Sequence, residues 1–95
     1  MRRKETSADE LVKLALKNLG ISQRYMEIEA KNVWQEVVGN LIASKTSKLE
    51  VYHGRMYVSF SSSVVKNEML MVKDGLLRAI NERLGEDVVK EIVIR

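Results

Sequence analysis

The feature that most constrains the fold is a pair of short runs, residues 48–52 and 55–60, in which apolar and polar residues alternate. Alternation with a period of two is typical of strands that bury one face. His53 and Gly54 separate the two runs, and glycine at such a position indicates a two-residue hairpin turn. The sequence therefore predicts a β-hairpin with one apolar face and one polar face.

The register of this hairpin follows from the position of the turn. If the two residues between the runs form the turn, Val51 lies opposite Met56 and Leu49 lies opposite Val58, on the same face. A turn shifted by one residue would leave the two faces unchanged. The other face carries a polar and partly aromatic set of residues: Lys48, Glu50, Tyr52, Arg55, Tyr57 and Ser59.

Two helical patterns precede the hairpin. The first ends at Gly20, because glycine commonly follows the last residue of a helix. The second begins at Ser22, and its apolar stripe includes Trp34, which we interpret as a core residue rather than a base-stacking one. Gly39 and Asn40 predict an end or a bend of this helix. The apolar residues of the first pattern are Leu11, Leu14, Ala15 and Leu19.

A third helical pattern follows the hairpin, from about residue 64 to residue 84. We predict one continuous helix that ends at Gly85, and Gly75 inside it predicts a close packing contact or a weak bend. The apolar stripe of this helix consists of Val65, Met69, Val72, Leu76, Ile80 and Leu84.

The β-branched run of residues 88–95 predicts a third strand, with Ile92 and Ile94 facing the core and Val93 facing outward. The order of elements is then α-α-β-β-α-β, which indicates an α+β fold. Because a strand–helix–strand crossover is right-handed and returns in the same direction, the third strand should lie parallel to the second. We predict a three-stranded mixed sheet, in the order 1-2-3, with helices on one face.

Length and composition fit one domain. The chain has 95 residues, of which 45% are hydrophobic and 31% are charged, and this suits a globular fold with a single core. We expect residues 1–7 to form a flexible basic arm and residues 8–95 to form the domain. No apolar run reaches the roughly 20 residues of a membrane span. We recognise no secretion signal, and the lack of cysteine suits the cytoplasm.

Positive charge is concentrated in two places, although the formal net charge is only +3. One is the N-terminal arm, and the other surrounds the hairpin. This concentration suggests a weak, salt-dependent nucleic-acid surface, and the alternative is ordinary surface charge. Tyr52 and Tyr57 are candidates for stacking on bases or packing against a partner protein. The candidate nucleic-acid-binding residues are Arg2, Arg3, Lys4, Lys45, Lys48, Arg55 and Lys66.

Residues that usually carry out catalysis are scarce. His53 is the only histidine and cysteine is absent, so a transition-metal site has too few ligands. Ser63 and Lys66 match an S-x-x-K motif, but the companion motifs are absent. Acidic residues such as Glu27, four residues before Lys31, fit a solvated helix face. We therefore predict no catalytic site, no cofactor, no metal and no small-molecule substrate.

The three serines at residues 61–63, where the third helical pattern begins, have two interpretations. Serine commonly caps the N-terminus of a helix. The free N–H groups of a helix start, next to Lys66, could instead hold a phosphate. The capping interpretation is the simpler of the two.

A set of spaced motifs runs through nearly the whole chain. They are the W-x-x-V-V-G stretch of Trp34, Val37, Val38 and Gly39, the following Leu41, Ile42, Ala43 and Ser44, the G-x-x-Y-V step of Gly54, Tyr57 and Val58, the serines at 61–63, the helix end at Asn81, Leu84 and Gly85, and the final I-V-I-R strand. Together these motifs resemble the DciA-like family of bacterial proteins, over roughly residues 8–95.

The resemblance implies a domain similar to the type II KH fold. It also implies DNA binding and a role in loading the DnaB-type replicative helicase during DNA replication, without ATPase chemistry. KH domains that grip single strands use a G-x-x-G loop, which this sequence lacks. We therefore expect contacts with single- or double-stranded DNA to depend on phosphate charge. We predict a non-enzymatic nucleic-acid-associated adaptor, and the alternative is a protein–protein interaction module without relevant nucleic-acid binding.

Overall fold

The computed structural model describes residues 8–95, so the predicted basic arm lies outside the described residues. These residues form four helices and one three-stranded sheet. The helices are α1 (Ala8–Leu19), α2 (Ser22–Ser44), α3 (Ser63–Met71) and α4 (Lys73–Leu84), and the strands are β1 (Thr46–Tyr52), β2 (Arg55–Phe60) and β3 (Glu91–Ile94).

The sheet has the predicted order and register. Its strands lie in the order β1-β2-β3, with β2 antiparallel to β1 and parallel to β3. Val51 pairs with Met56 and Leu49 pairs with Val58, as the alternation requires. His53 and Gly54 form the turn with φ angles of 51° and 79°, and positive φ at both central residues is typical of a type I′ hairpin turn.

The core lies on one face of this sheet, beneath α2 and α4, as predicted for an α+β fold. Both helices contribute side chains that pack on the apolar sides of the three strands. Burial of apolar surface supplies most of the driving force for this arrangement. The core residues are Met26, Ala30, Trp34, Val51, Met56, Val58, Leu76, Ile80, Leu84, Val88, Val89 and Ile92. Similarity to the type II KH fold stays a prediction.

Trp34 is a core residue, as its place on the apolar stripe predicts. Its side chain is 3% exposed, and its ring centroid lies 6.3 Å from that of Phe60. The indole Nε1–H donates a hydrogen bond to Thr46 Oγ1 at 3.0 Å. A buried indole needs such a partner, and Thr46 supplies it because β1 begins beneath the helix. The base-stacking alternative for Trp34 is therefore wrong.

The single helix predicted for residues 64–84 is wrong, because the segment forms two helices that meet at Val72. Val72 has non-helical angles (φ −112°, ψ 18°), and its N–H bonds to Met69 O in a tighter turn. α3 buries no residue, whereas α4 buries Leu76, Ile80 and Leu84. The break turns α4 onto the sheet, and it leaves Val72 exposed rather than in the apolar stripe.

Gly75 does not cause this break. It lies inside α4, and a Cβ atom added there would meet nothing within 4 Å. The predicted packing contact or bend at Gly75 is therefore wrong. Gly39 does bend α2, with angles (φ 88°, ψ 170°) that no helix contains, which confirms a bend at that position. The backbone freedom of glycine is used at Gly39 and not at Gly75.

The third strand begins later than predicted, at Glu91. Val88 and Val89 are both buried although they are adjacent in sequence, which a strand with alternating faces does not allow. Their N–H groups both donate to Asn81 Oδ1, and Asn81 Nδ2 donates to Val89 O. The asparagine of α4 thus replaces the sheet as hydrogen-bond partner of this segment. Ile92 is buried in the core, as predicted.

Candidate functional site

The open face is the side of the sheet opposite the core. Because side chains alternate along each strand, the polar residues predicted for the outer face all lie here. From β3 it gains the residues that alternate with Ile92. The open face consists of Lys48, Glu50, Tyr52, Arg55, Tyr57, Ser59, Glu91, Val93 and Arg95.

One end of the open face has a cation at each edge of the sheet. Lys48 on β1 pairs with Ser59 on β2. Arg95 lies on the other side of Ser59, because its N–H donates to Val58 O at 2.9 Å and continues the parallel pairing of β3. A shallow depression crosses this end, lined by Lys48, Glu50, Tyr52, Tyr57, Ser59 and Arg95.

Lys45 and Lys66 add positive charge beyond the same end of the sheet. Lys45 is exposed and directly precedes β1, and its carbonyl accepts a hydrogen bond from the N–H of Ser61, which follows β2. Lys66 lies in the first turn of α3 and is half-buried. We call the cations at or beyond this end of the sheet the basic end: Lys45, Lys48, Lys66 and Arg95.

Arg55 does not belong to the basic end. It opens β2 next to the hairpin turn, four residues and roughly 13 Å along the strand from Ser59. Its Nε lies 3.2 Å from Glu91 Oε1. Hydrogen bonding to Tyr57 and the nearby carboxylate of Glu91 raise the pKa of Arg55 above its ordinary value. Arg55 is therefore charged but has an acidic partner, which reduces its value for binding an anion.

Arg95 is a site residue that the sequence interpretation missed. Its guanidinium lies 4.5 Å from the ring centroid of Tyr57, within the range of a cation–π contact. Tyr57 is half-buried, so the ring holds the guanidinium at the surface of the open face. The alternation of outward residues along the last strand could have identified Arg95, since it lies two positions after Val93.

Tyr52 has a similar partner at the other end of the open face. The guanidinium of Arg24, from α2, lies 4.8 Å from its ring centroid. Both tyrosines named as candidate surface residues therefore have an arginine over one ring face. This arrangement presents guanidinium groups, in addition to bare rings, to an incoming ligand, and guanidinium planes can stack on bases as aromatic rings do.

A buried carboxylate holds the hairpin turn against α2. Glu27 is 3% exposed. Its Oε2 accepts hydrogen bonds from Gly54 N–H and Gln23 Nε2, both at 2.8 Å, and its Oε1 accepts one from Arg24 Nη1 at 3.1 Å. Arg24 also donates to Val51 O. We call these partners, Gln23, Arg24, Glu27 and Gly54, the Glu27 network.

The solvated pair predicted between Glu27 and Lys31 is therefore wrong. Lys31 reaches β1 instead, where its Nζ lies 3.5 Å from Glu50 Oε1. Burial raises the pKa of Glu27, but the hydrogen bonds from Gln23, Gly54 and Arg24 outweigh burial and set its pKa below 4.5. A buried carboxylate that accepts several hydrogen bonds stays ionised. Glu27 thus has a structural role, and its lowered pKa does not suit it to exchange protons at neutral pH.

A comparison with known protein families identifies the family of the chain. The chain matches the model of the family described as "Dna[CI] antecedent, DciA" over residues 7–94. The chain belongs to the DciA family. The matched region contains all four helices and all three strands, and it confirms the family identified from the spaced motifs. No curated protein matches the chain.

The serines at residues 61–63 and the single histidine of this DciA family member were the other candidate motifs. Ser62 caps α3, because its Oγ accepts a hydrogen bond from Val65 N–H at 3.2 Å, which confirms the capping interpretation. Ser63 is exposed at the start of that helix, and His53 is exposed in the hairpin turn.

Within residues 8–95 no group of three or more acidic or histidine side chains could hold a metal ion. No helix in that range is both long and apolar enough to cross a membrane.

Proposed function

We propose that this chain is a non-enzymatic, nucleic-acid-associated adaptor that helps to load or operate the DnaB-type replicative helicase. Membership of the DciA family supports the link to replication. The observation that carries the nucleic-acid part is the basic end, where three segments of the chain place cations at the same end of the sheet: Lys45 and Lys48, Lys66, and Arg95. Cations that several segments bring to one end of a sheet favour a phosphate-binding surface.

Phosphate charge, rather than base recognition, is the proposed source of affinity. Lys48 and Arg95 lie at the two edges of a narrow sheet, and the shallow depression between them contains Ser59, a hydrogen-bond donor. Tyr57 holds the guanidinium of Arg95, so that less side-chain entropy is lost on binding. About three or four phosphate contacts would give a slope of about −3 in a plot of log affinity against log salt concentration.

Fluorescence anisotropy with labelled single- and double-stranded DNA tests this part of the proposal. Lys48→Glu and Arg95→Glu should each weaken binding at low salt by about tenfold and should reduce the salt slope by about 1. Arg78→Glu is the matched control, because Arg78 is an exposed cation on α4, away from the open face. Binding that is insensitive to salt, or equal losses in all three variants, would contradict a phosphate surface at the basic end.

A second candidate function is a protein–protein interaction module without relevant nucleic-acid binding. Two acidic residues favour it, because Glu91 pairs with Arg55 and Glu50 lies beside the basic end. The exposed Tyr52 also favours it, since tyrosine and arginine are common at the centres of protein interfaces. This candidate predicts a complex with the helicase but no measurable DNA affinity of the isolated chain.

A pull-down from the source cell, performed with and without nuclease, separates the two candidates. An adaptor that acts through both DNA and protein should retain the helicase after nuclease treatment and should also bind free DNA. A pure interaction module should retain the helicase and ignore DNA. Failure to recover the helicase under either condition would count against both candidates.

A further inference from the structure

The first helix turns its apolar stripe toward solvent. No residue of α1 is buried. Leu11, Leu14 and Leu19 are 56%, 55% and 71% exposed, although they form the stripe that an amphipathic helix normally buries. Neighbouring Val12 and the following Ile21 are also about half exposed. These side chains form an exposed apolar surface on α1 and the turn after it, of the kind that marks an interaction site.

The side of α1 that meets α2 is a different one. The residues of α1 that are partly covered are Lys13 and Leu16, and Lys13 shares a small depression with Asp9 and with Tyr25 of α2. If α1 packed only against its own domain, burial of its leucines against α2 would be the more favourable arrangement. The orientation of α1 therefore leaves its best packing surface available to another molecule.

We propose that this surface binds a second copy of the same chain, with the two α1 helices antiparallel across a two-fold axis. The first turn of α1 contains the acidic Glu10 and the last turn contains the basic Lys17, seven residues later. Antiparallel pairing places the acidic start of each helix beside the basic end of the other, and the helix dipoles align favourably in the same way. A two-fold axis requires such self-complementarity of a single surface.

The sizes of the side chains fit the same arrangement. In a pairing centred between residues 13 and 14, Ala8 lies opposite Leu19 of the second copy, and Leu11 lies near Ala15. Small residues that face large ones allow two helices to approach closely and to interdigitate. A parallel pairing would instead place leucine against leucine, acid against acid and base against base.

The area available fits a reversible dimer rather than a permanent one. Five apolar side chains of α1 and the turn after it are about half exposed or more: Leu11, Val12, Leu14, Leu19 and Ile21. Together they would bury roughly 500 Å² per copy and roughly 1,000 Å² in the dimer, near the lower limit for a specific interface. Self-association is therefore expected in the micromolar range.

Sedimentation velocity over a concentration range of roughly 1 to 200 µM, which brackets that expectation, tests the proposal. The chain should change from monomer to dimer across the range, and Leu11→Gln with Leu19→Gln should raise the dissociation constant at least about tenfold. Leu41→Gln is the matched control, because Leu41 is 70% exposed but lies after the bend in α2. A chain that stays monomeric throughout, or a control that weakens association equally, would overturn the proposal.

Cross-linking tests the antiparallel geometry, and it is clean because the chain has no cysteine. Ala15→Cys lies near the centre of α1 and should cross-link to itself through a short thiol-reactive linker. Leu19→Cys should cross-link to Ala8→Cys but not to itself, since its two copies would be about 16 Å apart along the axis. Self-cross-linking of Leu19→Cys without cross-linking to Ala8→Cys would overturn the antiparallel arrangement. Both readouts are independent of DNA.

Discussion

Two helical regions of this protein use charged and apolar residues in opposite ways. The first half of α2 buries a carboxylate, Glu27, together with Met26, Ala30 and Trp34. α1 exposes three leucines and buries nothing. Both segments are helices of mixed composition next to each other in the chain. Residue type alone would place the leucines inside and the glutamate outside, yet the structure does the reverse.

The difference shows that burial depends on the partner that the fold provides. Glu27 can be buried because Gln23, Arg24 and Gly54 supply hydrogen bonds that replace water. The leucines of α1 stay exposed because no other element of the described chain covers them. Hydrogen bonding allows Glu27 to be buried, and the lack of an apolar partner leaves the leucines of α1 exposed.

The largest expected difference in the free energy of unfolding is between a substitution in the core beneath α2 and one on the surface of α1. Met56→Ala should lower the free energy of unfolding by about 3 kcal/mol, because Met56 is fully buried and truncation leaves a cavity. Leu14→Ala should change it by less than about 0.5 kcal/mol, since this leucine is largely exposed. Urea unfolding at low micromolar concentration measures both. Equal losses would show that α1 is packed more tightly than the contacts indicate.

Glu27→Gln should be the next largest effect, with a loss of about 2 kcal/mol at neutral pH. Both carboxylate oxygens accept hydrogen bonds, so an amide nitrogen in either position would face a donor. Glu36→Gln is the control, because Glu36 forms an exposed ion pair with Arg83 that should be worth less than about 1 kcal/mol. If the two variants unfold at the same urea concentration, the Glu27 network adds no stability.

Two glycine substitutions should have effects of about 1 kcal/mol with opposite signs. Gly54→Ala should destabilise the turn held by Glu27, because Gly54 has a φ of 79° and a new Cβ would lie 3.2 Å from Lys90 Cγ. Gly75→Ala should stabilise α4 by up to about 1 kcal/mol, because alanine favours helix and nothing obstructs it. Thermal unfolding followed by circular dichroism distinguishes them, and a stable Gly54→Ala variant would contradict the turn geometry.

The smallest expected effect is a pH dependence that comes from Glu27. Its pKa is lower in the folded chain than the ordinary value of 4.5, so the folded state binds its proton less readily than the unfolded state does. The stabilisation is complete above pH 4.5 and is lost as the pH falls through the lowered pKa. The difference in stability between the native chain and Glu27→Gln should therefore shrink below pH 4.5. A stability difference that grows as the pH falls would contradict the lowered pKa of Glu27.

Much of the fold can be predicted from local pattern. The hairpin register, the order of strands and the bend at Gly39 are correct because alternation, turn chemistry and glycine conformation act over a few residues. The break at Val72 was missed, since valine at helical spacing gives no local signal. Asn81 was missed as the partner of residues 88 and 89 for the same reason.

The candidate site was predicted less completely than the fold. Lys45, Lys48 and Lys66 lie at or beyond one end of the sheet, whereas Arg55 lies at the other end with Glu91. Arg95 was not recognised, although alternation after Val93 places it on the outward face; its position beside Ser59 follows from the pairing of β3 with β2. Charge can be counted in a sequence, but the distances between charges cannot.

The sequence by itself determined the hairpin, the first two helices and the order of the strands, which face of the hairpin is apolar, and which family the chain belongs to. Those properties follow from periodicity, turn residues and spaced motifs, all of which are local or additive. Only the tertiary structure decided that Glu27 is buried, that the leucines of α1 are exposed, and that Arg95 joins the basic end. Burial and electrostatic proximity depend on what a distant segment places nearby, and no single stretch of sequence contains that information.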